Sequence, residues 1–418
     1  MTYASKDPVL CWPVEGVSKE LKTIAIVGGG PAGAMTAERL LRGPFPSQSA
    51  WDGVQVIVFE EKLGWEKPCG GGLSPKALKE YPFLLQAAEL ANPVRKMEML
   101  APGGASVCLD LRAPLAIYSR RELNHLLLER SEQAGAQVVN DRVTGAMRHG
   151  NRWRLRGREG CYEADFLIVA AGARSSLRNE LAGSLRARDF MLTFGYFVRG
   201  SEDRLRVEFF EDFEGYAWSF PRPDHLSVGI CGKIGNAKMS ELQQKLWGFM
   251  ARLGYSSESS PVFSHLLPSL EVDSWAKIRL EGDGWALAGD AAGLTDPLTG
   301  EGLYFALRSG ELLAESLLRG SSYARSVWSE FGRKLMLGAR LCPKFYMGTF
   351  LGASVTTRMV QLCRRSRTFS DLFQDLVEGN QAYYGLPGRV FRNLPKSLVE
   401  AATQSLGRRL RPQSAERV

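Results

Sequence analysis

TIAIVGGGPAG, at Thr23–Gly33, decides the fold class of this chain. Its first five residues form a short run of mostly branched apolar side chains, which is typical of a buried parallel strand. The run leads directly into a glycine-rich turn and then into a segment with the apolar spacing of a helix. A second apolar run, VQVIVF at Val54–Phe59, ends at Glu60. The order of strand, glycine turn, helix, strand and acid predicts a dinucleotide-binding unit.

Each part of this unit has a physical role. Gly28 permits the tight turn, Gly30 lets phosphates approach the backbone, and Gly33 lets helix and strand pack closely. The helix N-terminus offers free N–H groups to a pyrophosphate, and Glu60 would hold a ribose hydroxyl. Glu60 follows Gly28 by 32 residues rather than roughly 20, and we attribute the excess to a surface loop at 43–53.

Later parts of the chain repeat this α/β character around a region rich in strands. The α/β stretches are Ser119–Val139, Asp165–Ser176 and Trp285–Leu317. The candidate strands between them are Met191–Val198, Leu205–Phe210, Tyr216–Phe220 and Leu226–Cys231. Several mix large apolar with polar residues, as in a sheet with one covered face. The sequence therefore predicts an α/β protein, with a Rossmann-type domain, an inserted antiparallel β-sheet domain and a helical C-terminal region.

Composition excludes several classes of protein. The 418 residues are 44% hydrophobic and 23% charged, which excludes a disordered or collagen-like chain. No apolar run is long enough for a membrane-spanning helix, and the N-terminus lacks the layout of a secretory signal, so we expect a cytoplasmic protein. Seven cysteines without a CxxC pair and four scattered histidines indicate neither a disulfide framework nor a metal site.

The positive charge of the chain lies near its C-terminus. The net charge is +8, and residues 319–418 hold 17 Lys and Arg against 6 Asp and Glu. Apolar residues are interspersed with the charge in Arg333–Leu351, a basic cluster follows at Arg364, Arg365 and Arg367, and Pro343 is expected to interrupt any long amphipathic helix. No nucleic-acid motif accompanies the charge, so the pattern favours an anionic membrane surface, at the inner face of a membrane, over nucleic acid. The apolar residues could instead simply pack the C-terminal helices against the nucleotide-binding domain.

Several further motifs resemble the geranylgeranyl reductase family of flavoproteins, within the larger group that includes the aromatic hydroxylases and flavin halogenases. The resemblance runs from about Thr23 to about Phe391. Its motifs are KPCGGGLSP at Lys67–Pro75, Arg120 followed by Leu123, Asn124 and Leu127, YAWSFP at Tyr216–Pro221, Gly289-Asp290, and GNQAY at Gly379–Tyr383.

The resemblance implies FAD as cofactor. The residues that it assigns to FAD binding are Gly28, Gly30, Gly33, Glu60, Arg120, Asp290, Gly300 and Gly302. The glycine turn and Glu60 would hold the ADP half, and Asp290 the ribityl or pyrophosphate region. Gly300 and Gly302 would bring a helix N-terminus to the isoalloxazine ring, where its partial positive charge stabilises the anionic reduced flavin.

The resemblance also implies a substrate, an isoprenoid chain of the geranylgeranyl type whose C=C double bonds are reduced. Cys69, Gly70 and Gly71 would lie at the ring face, and Tyr216, Trp218 and Phe220 would line an elongated apolar pocket. The three aromatic residues could instead be ordinary sheet core. Cys69 could donate the proton that reduction requires, or it could be a small residue chosen for packing.

The resemblance divides the chain into segments. The FAD-binding domain would comprise 20–90, 115–183 and 278–325, the substrate domain 91–114 and 184–277, and the basic helical region 326–418. The chain departs from the larger group after the Asp165 strand, where Ala171-Gly172 replaces an Asp-Gly pair. Direct use of a nicotinamide is therefore in doubt, and the electron donor, NADPH or a ferredoxin-like protein, stays open.

Two other functions are compatible with the same cofactor. A flavin monooxygenase or halogenase shares the FAD motifs, but the GxGEAT-like loop of a halogenase is missing and its WxWxIP stretch reads YAWSFP here. A redox-neutral cyclase of the lycopene cyclase kind also handles isoprenoids. Product mass separates the latter from a reductase, since reduction adds two hydrogens per double bond and cyclisation adds none.

Overall fold

The structure is a computed structural model that describes residues 21–43 and 53–409, so most of the predicted 43–53 loop lies outside the described residues. The strands are β1 (Thr23–Val27), β2 (Gln55–Phe59), β3 (Gly72–Leu73), β4 (Ala91–Leu100), β5 (Ser106–Tyr118), β6 (Gln137–Val139), β7 (Gly145–His149), β8 (Arg152–Arg156), β9 (Cys161–Ala164), β10 (Phe166–Val169), β11 (Phe190–Val198), β12 (Arg204–Phe209), β13 (Gly215–Pro221), β14 (Leu226–Lys233), β15 (Val262–Pro268), β16 (Glu281–Gly282), β17 (Trp285–Leu287), β18 (Thr349–Phe350) and β19 (Ala353–Ser354).

The helices are α1 (Pro31–Arg42), α2 (Pro75–Glu80), α3 (Phe83–Gln86), α4 (Arg120–Gln133), α5 (Ser176–Ala182), α6 (Met239–Arg252), α7 (Val272–Trp275), α8 (Leu303–Arg319), α9 (Tyr323–Val327), α10 (Arg333–Tyr346), α11 (Val355–Arg365), α12 (Arg367–Val377) and α13 (Leu386–Arg409). A π-helical turn at Trp328–Gly332 joins α9 to α10. In the described part of the chain, no helix is both long enough and apolar enough to cross a membrane.

A six-stranded sheet carries the predicted dinucleotide-binding unit. Its strand order is β16-β17-β10-β1-β2-β6, and every pair from β17 to β6 is parallel. The two apolar runs of the sequence form β1 and β2, which are buried almost throughout. Helix α1 follows β1 and packs against α4 and α8. The Rossmann-type part of the predicted fold is confirmed.

The glycine turn after β1 adopts the geometry that the sequence predicted. Gly28 has φ of 107°, a left-handed conformation that other residues rarely adopt. A side chain at Gly33 would overlap the carbonyl oxygen of Gly28, whereas one at Gly30 would meet nothing within 4 Å. Gly33 therefore permits close packing of α1 on the turn, and Gly30 leaves space above it.

An eight-stranded sheet forms the second layer, in the order β15-β11-β14-β13-β12-β4-β5-β3. All four predicted strands are present as β11 to β14. The sheet is antiparallel except where β4 runs parallel to β12. This pair joins strands from two distant segments of the chain, so no short turn forces an antiparallel arrangement. The short strand β3, which follows the Cys69 loop, pairs with β5 at the edge of the sheet.

We propose the same domain division for the folded chain. Segments 91–114 and 184–277 supply nearly all of the eight-stranded sheet, and the six-stranded sheet comes from 20–90, 115–183 and 278–325.

Helix α10 buries one face in the hydrophobic core. The prediction that Pro343 interrupts the helix is wrong, because α10 contains Pro343 and continues to Tyr346. An internal proline costs about 3 kcal/mol, but each large apolar side chain fully buried contributes roughly 1.5 to 3 kcal/mol. Leu335 and Tyr346 of α10 are both buried. The free energy gained by burying these side chains of α10 outweighs the loss of the backbone hydrogen bond that Pro343 cannot donate.

Candidate active site

A single cavity of about 1010 Å³ connects the three parts of the fold. It begins at the carboxyl ends of the parallel strands, where doubly wound sheets bind ligands. It is also lined by β11, β12 and β13 of the eight-stranded sheet, and by side chains of α10 and α12. The cavity brings together residues that are far apart in the sequence.

One end of the cavity is formed by the dinucleotide-binding unit. Gly28, Gly30 and Glu60 line it, whereas Gly33 does not. The Glu60 carboxylate accepts hydrogen bonds from the backbone N–H groups of Gly29 and Lys62, each at 2.8 Å. Glu60 is thereby fixed at the end of β2, beside the glycine turn.

The predicted residues Asp290 and Arg120 also line this cavity. Asp290 forms an ion pair with Lys67 at 2.8 Å. Burial raises the pKa of the Asp290 carboxyl, but Lys67 more than offsets that effect and holds the pKa below its usual value. His265 lies close to this pair, and burial, together with the charge of Lys67, lowers the pKa of its imidazole. His265 is therefore uncharged at neutral pH.

The Cys69 loop forms another part of the wall. The backbone N–H of Gly71 donates to Cys69 Sγ at 3.3 Å. Gly71 has φ of 83°, and a Cβ at Gly70 would lie 2.7 Å from the Phe220 ring. Gly71 is thus required by its backbone conformation and Gly70 by the close approach of the Phe220 ring. The loop packs directly on β13.

The Cys69 thiol lies in a strongly positive environment. Burial raises its pKa, but the positive charges of Arg120, Arg222 and Lys67 and the Gly71 N–H together hold the pKa below its ordinary value. A general acid works best when its pKa is near the operating pH. The environment therefore makes Cys69 a better acid than a free thiol.

The remaining predicted residues line the same cavity. Gly300 and Gly302 precede α8, and Gly302 is its N-cap. Gly300 has φ of 71°, and a side chain there would lie 2.5 Å from the Tyr216 hydroxyl, which donates to the Thr299 carbonyl at 2.8 Å. Glu301, between the two glycines, also lines the cavity, and burial raises the pKa of its carboxyl.

Apolar side chains line the part of the cavity next to the eight-stranded sheet. Tyr216, Trp218 and Phe220 are among them, and they also belong to or pack on a hydrophobic cluster of the sheet. The two interpretations of these aromatic residues are therefore compatible. Sequence reasoning missed the other apolar residues of this section, among them Met97, Leu205, Phe209, Phe345, Phe373 and Leu376.

Comparison with known proteins establishes the family. No family model matches the chain. Geranylgeranyl diphosphate reductase of Synechocystis sp. is 28% identical over 365 residues, which cover 80% of this chain and 84% of that protein. The chloroplastic geranylgeranyl diphosphate reductase of Oryza sativa subsp. japonica is 30% identical over 339 residues, or 72% of this chain and 67% of that protein. The chain belongs to the geranylgeranyl reductase family.

The fold of this reductase agrees with that assignment. A geranylgeranyl bacteriochlorophyll reductase-like protein of Thermoplasma acidophilum superposes with a TM-score of 0.69 over 91% of this chain and 99% of that one, at 21% identity. The reductase is a FAD-dependent oxidoreductase, as the resemblance of its motifs implied.

The residues of the reductase fit FAD. The Gly30 position leaves open space where a pyrophosphate would approach the turn. Arg120 is buried, and its Nε has no hydrogen-bond partner among the described residues. An anionic or hydrogen-bond-accepting group in the cavity would satisfy it. The N-termini of α1 and α8 both meet the cavity, and each favours negative charge.

Several polar residues at the site were not predicted as site residues, and four of them surround Cys69 and Asp290. They are Glu66, Lys67, Arg222 and His265. Lys67 was visible as the first residue of the KPCGGGLSP motif, and Arg222 directly follows YAWSFP. Glu66 and His265 carried no signal, because their neighbours in the fold come from distant parts of the chain.

Proposed function

We propose that this reductase uses FAD to reduce C=C double bonds in an isoprenoid chain of the geranylgeranyl type. One observation carries the proposal: the cavity that is lined by the nucleotide-binding turn is also lined by Cys69 and by apolar side chains of the eight-stranded sheet, α10 and α12. A prenyl chain offers almost no polar group for recognition. Burial of its apolar surface, at about 25 cal/mol per Å², is therefore the main source of its binding.

The cofactor would be held at the polar end of the cavity. The Gly28–Gly30 turn would receive the pyrophosphate, Glu60 a ribose hydroxyl, and Asp290 the ribityl region. Gly300 and Gly302 would present the α8 N-terminus to the ring system. Bound and reduced, FAD supplies the hydride, a chemistry that no side chain of the protein provides.

Cys69 would supply the proton. Reduction of an isolated double bond adds one hydride and one proton, and the proton must arrive nearly in step because the bond has little polarity. The Cys69 thiol releases its proton from Sγ to carbon, and Arg120, Arg222 and Lys67 stabilise the thiolate that remains. A bound prenyl chain would displace water from the cavity, which would strengthen these electrostatic interactions.

A substrate panel tests the reaction. We expect dithionite-reduced protein, incubated with prenyl diphosphates, prenyl quinones and prenyl glycerolipids, to yield at least one product that has gained two hydrogens per double bond, detected by mass spectrometry. Protein stripped of FAD is the matched control and should yield none. Addition of oxygen or halogen, or rearrangement without a change of mass, would contradict reduction and support the monooxygenase, halogenase or cyclase alternative. A parallel reaction with NADPH in place of dithionite tests the electron donor.

We further propose that the reductase docks on an anionic membrane surface through its C-terminal helices. Arg364, Arg365 and Arg367 are exposed at the junction of α11 and α12. At the other end of α11, the tip of the β18–β19 hairpin exposes Phe350 and Leu351, and Leu351 is 71% exposed. An apolar tip at one end of a helix and a basic cluster at the other offer the two kinds of contact that the boundary between headgroups and acyl chains provides. A substrate that partitions into lipid would be collected there.

Vesicle co-sedimentation tests this docking. We expect binding to anionic vesicles and not to neutral ones, weakened by salt, because each cation near the surface contributes about 1 kcal/mol. Reversal of Arg364, Arg365 and Arg367 to Glu should abolish it. Reversal of Arg199, Lys277 and Arg325, exposed cations outside α10 to α13, makes the same change in net charge and should retain most of the binding. Equal loss in both variants would contradict a local docking surface.

A further inference from the structure

Arg222, one of the three cations near the Cys69 thiol, also contacts the main chain of Cys69. It directly follows β13, and its side chain is 0% exposed. Burial of a guanidinium is unfavourable unless partners compensate for the lost hydration. The guanidinium of Arg222 has two: the Glu66 carboxylate and the Cys69 carbonyl oxygen, both within hydrogen-bond distance. It thus bridges the eight-stranded sheet and the loop that carries Cys69.

Glu66 anchors this bridge in the FAD-binding part of the fold. Its carboxylate accepts hydrogen bonds from the Ser119 hydroxyl at 2.6 Å and from the backbone N–H of Arg120 at 2.7 Å, at the N-terminus of α4. Burial raises the pKa of Glu66, but Arg222 and these donors more than offset it and keep the pKa below its usual value. Glu66 is therefore charged, and it fixes Arg222 in place.

Two side chains of the eight-stranded sheet donate hydrogen bonds to the Cys69 carbonyl oxygen. Besides Arg222, the Ser227 hydroxyl of β14 donates to the Cys69 carbonyl at 2.8 Å. Arg222 and Ser227 therefore make the same contact, but only Arg222 brings a charge. A comparison of variants at the two positions therefore distinguishes the anchoring of the Cys69 main chain from the effect of a positive charge on the thiol.

We propose that Arg222 is a positioning residue of the reduction, which anchors the Cys69 main chain in the cavity wall and places a fixed positive charge beside the Cys69 thiol. The role of Arg222 in reduction rests on the proposed function, but its effect on the pKa of the Cys69 thiol does not. After Arg120, Arg222 is the largest of the charges that lower the pKa of Cys69. When the thiol gives up its proton to carbon, the remaining thiolate faces this charge.

The pH profile of thiol alkylation in the holoenzyme tests the proposal without any turnover. Iodoacetamide labels each cysteine at a rate set by its thiolate fraction, and peptide mass spectrometry resolves Cys69 from the others. Cys161, exposed on β9, is an internal reference whose profile should not move. The variants are Arg222→Met, Arg222→Lys and Ser227→Ala.

We expect Arg222→Met to raise the midpoint of the Cys69 profile by about one pH unit or more, the usual effect of a nearby opposite charge. Arg222→Lys, which retains the charge, should restore most of the shift, and Ser227→Ala should leave the midpoint within about 0.3 units because no charge is removed. An unchanged midpoint in FAD-loaded Arg222→Met protein, or an equal shift in Ser227→Ala protein, would overturn the proposal. Because alkylation requires no substrate, a failure to reduce isoprenoids would leave this result unaffected.

Discussion

Replacement of Gly30 by Val is expected to abolish FAD retention while the protein still folds. A Cβ at this position meets nothing within 4 Å, and the backbone of Gly30 has φ of −70°, which any residue adopts. The added side chain would therefore occupy only the space through which a pyrophosphate reaches the turn. We expect the affinity for FAD to fall by at least 100-fold, or about 2.7 kcal/mol. Flavin fluorescence after gel filtration measures the loss, and thermal unfolding of the cofactor-free protein checks the fold.

Two other glycines provide contrasts. Gly388→Val adds a side chain in α13, where the Cβ is equally free of neighbours, and it should retain FAD. Gly33→Val should instead impair folding, because its Cβ would overlap the Gly28 carbonyl. If folded Gly30→Val protein keeps its FAD, the assignment of the pyrophosphate to this turn is wrong.

Cys69→Ala should leave FAD bound and slow reduction of the isoprenoid by about 100-fold or more, the range typical of general acid catalysis. Single-turnover mixing of dithionite-reduced protein with substrate measures this step. Cys69→Ser is the control that separates the two roles considered for this residue. A hydroxyl is similar in size but a far weaker acid, so the Ser variant should be as slow as the Ala variant. Full activity in the Ser variant would make Cys69 a packing residue.

The pH dependence of the same step should have a definite sign. A proton donor works only in its protonated form, so the rate should be highest below the pKa of Cys69 and fall as the pH rises through it. Positive neighbours hold this pKa below the ordinary thiol value, so the fall should begin at lower pH than for a free thiol of pKa about 8.5. The fall should be absent in Cys69→Ala protein. A rate that instead rises with pH would indicate a thiolate role.

Local signals were enough to predict the conformation of the glycine turn and the position of Glu60 beside it. The turn at Gly28, the packing at Gly33 and the placement of Glu60 depend on residues close together in the chain, and their conformations follow from sterics alone. The strands β11 to β14 were equally visible, because their apolar residues recur in short runs between turns.

Tertiary contacts determine what the sequence did not reveal. Arg222 and Glu66 are 156 residues apart in the chain, and the residues next to them do not indicate that the two form an ion pair. The sequence also did not predict that α10 continues through Pro343, because this depends on the burial of Leu335 and Tyr346 in the folded protein. Phe373 has the sequence context of any apolar residue in an amphipathic helix, so its position in the cavity wall could not be predicted before the position of α12 was known.

The wide spacing of the cavity wall along the chain has a consequence for synthesis on the ribosome. Strand β1 can pair with β2 early, but its other edge must wait for β10 at Phe166–Val169, and β10 must wait for β17. The FAD site can therefore close only after residue 302 has emerged, and the apolar section only after α12 has emerged. Domains fold largely as units, N-terminal parts first, but here the first strand of the described residues belongs to one of the last units completed. Until then one edge of β1 stays unpaired, and an unpaired strand edge makes a partly folded chain prone to aggregation.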